Sequence, residues 1–457
     1  MHLRFMYACL IAATLFTVPS HGAEPLPRVA TFKADVTLPI GHPCYTDYKP
    51  VKTIEHPQFA KGIVLEDGKT KNRYVICTFD WCEICNGSHD LVREKIAKAV
   101  GTTVDRVMVL SVHQHTAPMA VGDAQRLLDK TKKPAKAWDL KVLDELFSRA
   151  AKAAGEAVEN LQPFNQVGTS EAKVERVAAN RRILGEDGKI HMRWSATTDP
   201  DLIAAPEGLI DPMLKTITFA KDGKPLVRMH YYAVHPQSFY RDERMSYDFV
   251  GMAREKLEKE DGAYQIYFTG CTGDITAGKY NQGTRENRTE LADRLYDGMK
   301  RSVAATKYAP VGPIRWRTAP LTAAPQFAEK AHAYEKKLSN PREKTHQRVF
   351  AAQDLAFLKR IDRPFFLCSL ELGDVSMVYL PGEPCIAFQL YAQKAKPGSF
   401  VAVSGYADGG CGYICTENMF DEGGYEPSAS RFAPEVDQKL RAAIDSLLGK
   451  EPTPPSE

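Results

Sequence analysis

The sequence predicts an α/β fold in which layered mixed sheets are flanked by helices and the active site lies at the carboxyl ends of the strands. Two observations predict this class. Apolar runs of strand length alternate with segments of helical periodicity, an order typical of α/β proteins. Polar side chains able to bind metals or act in catalysis follow several of these apolar runs, and open α/β sheets bind ligands at that edge.

The alternation begins with a predicted β–α–β unit. RYVICTFD (73–80) is predicted to be a strand, SHDLVREKIAKAV (88–100) an amphipathic helix and RVMVLS (106–111) a buried strand. Further strands are predicted at LVRMHYYAV (226–234), YQIYFTG (264–270), SMVYL (376–380) and FVAVS (400–404), and further helices at YDFVGMAREKLEK (247–259), RTELADRLYDGMKRSVAA (288–305) and PCIAFQLYAQKA (384–395).

Two other patterns complete the prediction of elements. Residues 124–160 and 326–361 have helical periodicity with charged faces that we expect to be solvated, although either segment is also suited to form a lid over a site. The string GDVS (373–376) lies between two apolar runs, which predicts a hairpin turn. Ser376 is therefore not a candidate nucleophile.

Residues 1–23 are predicted to be a secretory signal peptide. A basic start with Arg4 is followed by an apolar core from Phe5 to about Val18 and then by small residues. No later apolar run is long enough to predict a transmembrane segment. Residues 24–448 are predicted to form one folded domain and residues 449–457 a disordered tail. We therefore expect a secreted or periplasmic protein.

Composition narrows the classes of partner and cofactor. The chain is 44% hydrophobic and 26% charged with a net charge of +3, and it has no long block of Lys and Arg, so nucleic acid is not an expected partner.

Cys82-x-x-Cys85 has no second Cys-x-x-Cys at zinc-ribbon spacing, which favours structural or bridging roles. In an oxidising compartment some cysteines could form disulfides. Because an odd number of cysteines follows the predicted signal peptide, at least one of them stays free or pairs with another chain. These nine are Cys44, Cys77, Cys82, Cys85, Cys271, Cys368, Cys385, Cys411 and Cys415.

Candidate functional residues recur just beyond five predicted strands. SVHQHTAP (111–118) follows VMVL and contains two histidines, although a lone His-x-His is weak evidence by itself. His113, His235 and Glu383 offer two imidazoles and a carboxylate on three different loops, a donor set used by catalytic zinc. Any one of them alone is more often structural, but their recurrence at strand ends favours a common site.

In the same order, these loops resemble those of the neutral/alkaline non-lysosomal ceramidases. SVHQHTAP is similar to the family's T-H-T-H-S-G-P segment, LPGE to its P-G-E-F loop, and SGYADGGCGYICT to S-G-x-x-N-x-Y-x-x-Y-I-T-T; AVHPQS followed by SYDFVGMA is similar to its second histidine loop. The resemblance runs from about residue 28 to 446. It implies a Zn²⁺ cofactor whose ligands are His113, His235, Glu383 and Tyr413.

The resemblance also implies the catalytic residues. His115 matches the family's second histidine, which contacts the reacting amide, and Arg181, preceded by Asn180, matches an arginine of the substrate site. The family's nucleophile loop G-D-V-S-P-N appears here as GDITAG (273–278), so that Thr276 replaces a serine and its extra methyl group crowds the approach. The candidate catalytic residues are Thr276, His115, Arg181 and Asp274.

A function follows from the resemblance as an expectation. It implies an exported zinc-dependent amidohydrolase that cleaves an N-acyl, ceramide-like lipid, a substrate that a membrane surface could present. Water activated by zinc would attack, His115 and Arg181 would stabilise the oxyanion, and Thr276 would orient the water or act as nucleophile. The chain ends soon after Tyr413, so the family's carboxyl-terminal immunoglobulin-like domain is not expected.

Two alternatives remain open. The altered loop around Thr276 is compatible with a zinc esterase or deacylase for a substrate other than a sphingolipid. The same residues are also compatible with a catalytically silent relative that binds a lipid or glycan and keeps the metal for structure. Turnover distinguishes an enzyme from a binding protein, and a substrate profile distinguishes the two enzymes.

Overall fold

A computed structural model describes residues 25–44, 48–240 and 242–450. The predicted signal peptide (1–23) and all but two residues of the predicted tail (449–457) lie outside these ranges. In chain order the strands are β1 (Arg28–Asp35), β2 (Thr53–Ile54), β3 (Phe59–Glu66), β4 (Arg73–Phe79), β5 (Glu83–Ile84), β6 (Val107–Ser111), β7 (Met119–Ala120), β8 (Gln162–Pro163), β9 (Gln166–Lys173), β10 (Ala179–Asn180), β11 (Arg182–Leu184), β12 (Ile190–Met192), β13 (Met213–Lys221), β14 (Lys224–Tyr232), β15 (Arg244–Met245), β16 (Tyr264–Thr269), β17 (Ile275–Thr276), β18 (Lys307–Pro310), β19 (Ile314–Leu321), β20 (Phe365–Leu372), β21 (Val375–Tyr379), β22 (Glu383–Pro384), β23 (Phe400–Ser404) and β24 (Tyr413–Ile414).

The helices alternate with these strands. In chain order they are α1 (Gly87–Val100), α2 (Gly122–Asp129), α3 (Leu140–Ala157), α4 (Pro200–Ala204), α5 (Asp248–Asp261), α6 (Arg285–Ala304), α7 (Ala331–Ser339), α8 (Thr345–Leu358), α9 (Ile386–Ala395), α10 (Glu417–Glu422), α11 (Tyr425–Ala429) and α12 (Val436–Leu447). None of the helices in the described part of the chain combines the length and the apolar character that a membrane crossing requires.

Three mixed sheets form the framework. The first has the strand order β6-β4-β3-β1-β8, the second β16-β14-β13-β9-β18 and the third β19-β20-β21-β23. Each sheet contains one parallel pair at its edge, namely β4 with β6, β14 with β16 and β21 with β23. In every case the pair is connected through a helix (α1, α5 or α9), so the three sheets share a β–α–β unit.

One hydrophobic core joins the three sheets, and helices cover their outer faces. Ile76 of the first sheet, Met229 of the second and Met377 of the third belong to one buried cluster. Within that cluster the hydroxyl groups of Tyr231 and Tyr379 hydrogen-bond at 2.8 Å. Helices α1 and α3 pack on the first sheet, α5 and α6 on the second, and α9 and α12 on the third. The layered α/β class predicted from the sequence is therefore confirmed.

Local sequence explains where several elements begin and end. Helices α1 and α5 stop at Gly101 and Gly262, which adopt φ values of 71° and 72°. Asp139 caps the N-terminus of helix α3, and its carboxylate accepts the N–H groups of residues 141 and 142. The predicted hairpin at GDVS is confirmed, because Gly373 (φ 63°) and residue 374 join antiparallel β20 and β21.

Candidate metal centre

Loops that follow the parallel pairs bring two histidines and a glutamate together. His113 lies just after β6, His235 just after β14, and Glu383 begins β22 beyond β21. The Nε2 atoms of the two histidines are 3.0 Å apart. The Oε2 atom of Glu383 lies 3.1 Å from Nε2 of His113 and 3.5 Å from Nε2 of His235. All three side chains are buried, so their donor atoms form a compact cluster away from bulk water.

Backbone carbonyl groups orient both imidazoles. The Nδ1–H of His113 donates to the carbonyl of Cys82, and the Nδ1–H of His235 donates to the carbonyl of Thr272, each at 2.9 Å. A neutral imidazole that donates through Nδ1 keeps a lone pair on Nε2. Histidines that bind metals commonly make such a second hydrogen bond. Both Nε2 atoms therefore face the Glu383 carboxylate.

The protonation states of the cluster suit a cation. Burial works against a charged His113, but the neighbouring Glu383 carboxylate raises the pKa of that imidazole above its ordinary value. Burial, followed by His113, lowers the pKa of His235 well below the ordinary value. Burial also opposes ionisation of Glu383, yet His113 lowers the pKa of its carboxyl group. Near neutral pH the cluster thus offers a carboxylate and at least one neutral imidazole, the forms that bind metals.

The donor set fits a divalent metal such as zinc. Oε2 of Glu383 is buried and accepts no hydrogen bond from any residue in the described ranges. Two histidine nitrogens and one carboxylate oxygen are a known ligand set of catalytic zinc, which retains a position for water or substrate. The described residues contain a second close group, Cys82 with His113 and His115. That group would need Nδ1 of His113, which already donates to a carbonyl.

Backbone strain accompanies this cluster. His113 and Tyr406 have φ values of 74° and 66°, in the left-handed region that side chains other than glycine rarely adopt. Their rings stack with centroids 4.1 Å apart. The Tyr406 hydroxyl hydrogen-bonds the Thr272 hydroxyl, and the Thr272 carbonyl holds His235. Tyr406 therefore links the supports of both histidines and helps to hold the strained conformation.

Tyr413 lies beside the three donors. It stands directly opposite Glu383 in the parallel pair of β22 and β24. His113 and, to a smaller extent, Tyr413 lower the pKa of the Glu383 carboxyl group. Burial raises the pKa of the Tyr413 hydroxyl well above its ordinary value. The structure thus brings together all four residues for which the sequence predicts a metal-binding role.

Arg181 is a buried cation at the edge of the cluster. Its Nε donates to Oε1 of Glu426 at 2.7 Å, and its guanidinium lies 5.3 Å from the ring centroid of Tyr413 and 5.4 Å from that of Tyr425. Its Nη2 group is buried and donates to no residue among those described. Glu426 is fully buried and also binds Arg182 at 2.7 Å. Arg181 is therefore fixed in place and retains an N–H group that a ligand could use.

His115 stands next to the cluster of His113, His235 and Glu383 and is partly exposed. Its ring centroid lies 4.9 Å from that of His113 and 5.3 Å from that of His235. Burial, followed by His113 and Arg181, holds the pKa of His115 well below its ordinary value. His115 is consequently a neutral imidazole near pH 7, close enough to contact a group bound at the cluster.

Asp274 holds the surrounding loops together. Its Oδ2 accepts a hydrogen bond from the side chain of Asn180 at 2.9 Å, and its Oδ1 accepts the backbone N–H of Ile386 at 2.8 Å. Its backbone carbonyl accepts the N–H of Arg181 at 2.8 Å. Burial raises the pKa of Asp274 to about 6. Its contacts are those of a residue that positions the loops around Arg181 and Glu383.

Thr276 has its backbone near the cluster, while its hydroxyl is engaged in another direction. The carbonyl of Ile275 accepts the N–H of His235 at 3.1 Å. The Thr276 hydroxyl is fully buried, donates to the carbonyl of Arg193 at 3.3 Å and accepts the N–H of Gly278 at 3.3 Å. The catalytic role of this hydroxyl stays a prediction.

A pocket of about 260 Å³ opens onto the candidate metal-binding residues His113 and Glu383. Side chains of the 326–361 segment form part of the wall of this pocket. The segment therefore fits a lid over a site better than a helix whose charged face is wholly solvated. The polar lining of the pocket comprises Glu83, Asn86, Gln353, Asp354, Ser428 and Arg431, and its apolar lining comprises Met119, Val121, Phe327, Tyr334, Phe350 and Tyr425.

Comparison with known proteins places the chain in a family. Residues 33–312 match the family model described as neutral/alkaline non-lysosomal ceramidase, N-terminal, and this match covers more than half of the sequence. The chain belongs to the neutral/alkaline non-lysosomal ceramidase family. A separate comparison, with curated proteins, finds no match.

Two solved structures share its fold. Neutral ceramidase from Pseudomonas aeruginosa superposes with a TM-score of 0.66 at 18% sequence identity, over 95% of this chain and 76% of that one. A ceramidase complexed with C2 superposes with a TM-score of 0.67 at 16% identity, over 95% of this chain and 77% of that one. At such low identity the likeness establishes the fold alone.

Four residues of this ceramidase-family site were not among the functional residues predicted from the sequence. Glu426 fixes Arg181, Tyr406 stacks on His113, and Tyr425 lines the pocket with its ring 5.4 Å from that of Tyr413. Glu83 lines the same pocket, and burial followed by Glu383 raises the pKa of its carboxyl group above the usual range. Tyr406 lies inside the quoted motif SGYADGGCGYICT and Tyr425 follows it, but neither Glu83 nor Glu426 is part of any recognisable pattern.

Proposed function

We propose that this chain is an exported, zinc-dependent amidohydrolase that cleaves the N-acyl bond of a ceramide-like lipid. One observation carries the proposal: in a chain of the ceramidase family, Nε2 of His113, Nε2 of His235 and Oε2 of Glu383 lie within 3.5 Å of one another beside a pocket. Export rests on the leader-like pattern of residues 1–23.

The metal would be held by His113, His235, Glu383 and the neighbouring Tyr413. When bound there, zinc supplies a Lewis acid that polarises a carbonyl group and lowers the pKa of water. The chain prepares for it by holding both imidazoles through their Nδ1 hydrogen bonds. Because those bonds fix the rings before any ligand arrives, little reorganisation is needed on binding.

Arg181 and His115 would act on the oxygen of the scissile carbonyl. Arg181 carries a permanent charge, and its Nη2 group has no partner among the described residues. Buried donors of this kind stabilise the negative charge that develops during attack on an amide. His115 is neutral and lies within 5.3 Å, centroid to centroid, of both cluster histidines, so it can donate a hydrogen bond or accept a proton from the attacking water.

The pocket offers complementary surfaces to the two parts of such a substrate. Its apolar wall includes Met119, Phe327 and Phe350, which suits an acyl chain. Glu83, whose raised pKa favours the neutral carboxyl form, and the Arg431 guanidinium both offer hydrogen-bond donors, which suit the hydroxyl groups of a headgroup. Phe350 remains 48% exposed at this pocket, as an apolar side chain that meets a lipid would be.

A deacylase for a substrate other than a sphingolipid is the second candidate. The pocket carries Asp354 and Arg431 in addition to the cluster of His113, His235 and Glu383, and such charged walls favour a polar substrate. The Thr276 hydroxyl is also engaged with backbone groups. Both features are compatible with a reaction on another N-acyl or O-acyl compound by the same metal cluster.

The proposal is tested by measuring fatty-acid release from a panel of substrates. The purified mature chain, supplied with zinc, is incubated with N-acyl sphingosines, N-acyl amino acids, N-acyl amino sugars and simple acyl esters. We expect release from N-acyl sphingosine, reduced at least about 100-fold by Glu383→Gln. Glu145→Gln, a change at an exposed position of α3, is the matched control and should retain activity.

Two other outcomes would each contradict part of the proposal. Turnover of a different acyl compound, with none for N-acyl sphingosine, would contradict the ceramide-like substrate and favour the second candidate. A zinc-loaded protein that hydrolyses nothing in the panel would contradict the enzymatic function and leave the silent binding relative.

A further inference from the structure

Two cysteines face each other immediately beyond the strand pair that carries Glu383 and Tyr413. Strands β22 and β24 pair in parallel, with Glu383 opposite Tyr413 and Pro384 opposite Ile414. The N–H of Glu383 donates to the carbonyl of Gly412 at 2.9 Å, and the N–H of Cys385 donates to the carbonyl of Ile414 at 3.0 Å. This spacing of hydrogen bonds continues the parallel ladder by one residue. Cys385 is therefore opposite Cys415.

The ladder position places the side chains of these cysteines on the same side of the strand pair. Both are free thiols in the structure. Both residues are fully buried within the same apolar cluster as Ile414 and Phe388. Opposed residues of neighbouring strands point to the same face, and the strands themselves lie about 4.8 Å apart. Disulfides join cysteines whose Cα atoms are about 4.4–6.8 Å apart, so this pair can be bridged without displacing the backbone.

We propose that Cys385 and Cys415 form a disulfide in the mature protein. The bond closes a loop that contains α9 and β23 and covalently joins the strands that carry Glu383 and Tyr413. Two thiols lose two protons and two electrons as the S–S bond forms. A thiol–disulfide oxidoreductase supplies the oxidant, because its own disulfide accepts the electrons and protons and becomes a dithiol.

The burial of this pair dictates when the bond forms. Neither thiol is exposed in the folded chain, so exchange with an enzyme must occur before this part of the core closes. An exported chain folds in an oxidising compartment where such enzymes act, and a buried disulfide then resists reduction. Once formed, the bond limits the separation of Glu383 and Tyr413 whether or not a metal is bound.

Peptide mapping tests the proposal directly. The full chain is directed to a bacterial periplasm by an established export leader, which removes any dependence on residues 1–23. The purified protein is unfolded in N-ethylmaleimide without reductant, digested and analysed by mass spectrometry. We expect a cross-linked peptide pair containing Cys385 and Cys415 that disappears after reduction. Recovery of both cysteines in alkylated form would overturn the proposal.

Thermal unfolding gives a second readout that does not depend on catalysis. Because the bond restricts the unfolded chain, a dithiol reductant applied during unfolding should lower the Tm of the wild type by about 3 °C or more. Cys385→Ala should abolish this response to reductant. Cys77→Ala, a change at an equally buried cysteine in β4, should preserve it. An unchanged response in Cys385→Ala would show that another pair is responsible and contradict the proposal.

Discussion

Among single residues, Thr276 has a hydroxyl group that is bound to the backbone. Thr276 stands where the ceramidase motif G-D-V-S-P-N has a serine, and its methyl group restricts its rotamers. Its present hydrogen bonds are to backbone groups of Arg193 and Gly278. To orient water or attack a carbonyl, the hydroxyl would have to exchange these partners for the substrate.

Kinetics of two Thr276 variants separate a catalytic hydroxyl from a structural one. If the hydroxyl acts in the reaction, Thr276→Ala should lower kcat by about 100-fold or more at unchanged zinc content. Thr276→Ser retains the hydroxyl, removes the crowding methyl group and should preserve or raise kcat. Steady-state rates with zinc content determined on the same samples provide the measurement. A Thr276→Ala variant as fast as the wild type would eliminate the hydroxyl from the mechanism.

The order of the motifs predicted the candidate metal-binding residues, but not the residues that hold them in place. His113, His235, Glu383 and Tyr413 each lie in a short pattern that follows a strand, so the sequence predicted that they would converge. Glu426 is distant in sequence from Arg181, and the contact between them depends on the tertiary position of α11. Likewise, the left-handed backbone of His113 is imposed by its surroundings, including the stacked ring of Tyr406.

At the scale of elements, an ion-pair cluster joins helix α5 to strands β1 and β3. Glu255 of α5 binds Lys33 of β1 at 3.1 Å, Lys61 of β3 at 3.3 Å and Nε of Arg254 at 2.9 Å. Burial alone would raise the pKa of Glu255, but Arg254, Lys61 and Lys33 lower it to about 2. Helix α5 packs on the second sheet, so this cluster connects the first sheet to the second.

This ion-pair cluster should make stability depend on acid pH. A carboxyl group with a lowered folded-state pKa stabilises the native state fully above its unfolded value of 4.5, and the stabilisation is lost as pH falls towards 2. We expect Glu255→Gln to be less stable than the wild type at pH 6 by roughly 1–3 kcal/mol, a difference that narrows by pH 3. Urea unfolding at the two pH values measures both quantities.

An exposed ion pair provides the control for that experiment. Glu290 binds Arg294 one turn away on the surface of α6. Such pairs contribute little, so Glu290→Gln should change stability by less than about 0.5 kcal/mol at either pH. A Glu255→Gln variant with the same small effect, or with an effect that does not vary between pH 6 and pH 3, would contradict the role assigned to the cluster.

Hydrophobic periodicity predicted most of the elements that position the site. The strand at 73–80, the helix at 88–100 and the strand at 106–111 correspond to β4, α1 and β6, and they form the expected parallel unit. The two-residue strands β22 and β24 were not predicted. Their pairing depends on tertiary contacts, because each is too short to show a periodic pattern.

At the scale of the whole molecule, the fold explains why the site lies where it does. Each of the three sheets contributes one parallel pair, and the loops beyond those pairs carry His113, His235 and Glu383. The sequence predicted mixed sheets with a site at their carboxyl ends. It could not predict that the strands divide among three sheets that share one core, because strand order depends on contacts between distant segments.

We propose that His113, His235 and Glu383 hold one zinc ion. Elemental analysis of the purified chain, after zinc is supplied and the excess removed, measures this binding. We expect about one zinc per chain in the wild type and in His115→Ala, and a strong loss in His113→Ala, because few ligands share the ion. His115→Ala should lose activity while it retains zinc. A wild-type chain that binds less than about a tenth of an equivalent, or a His113→Ala variant that binds as much zinc as the wild type, would contradict the claim.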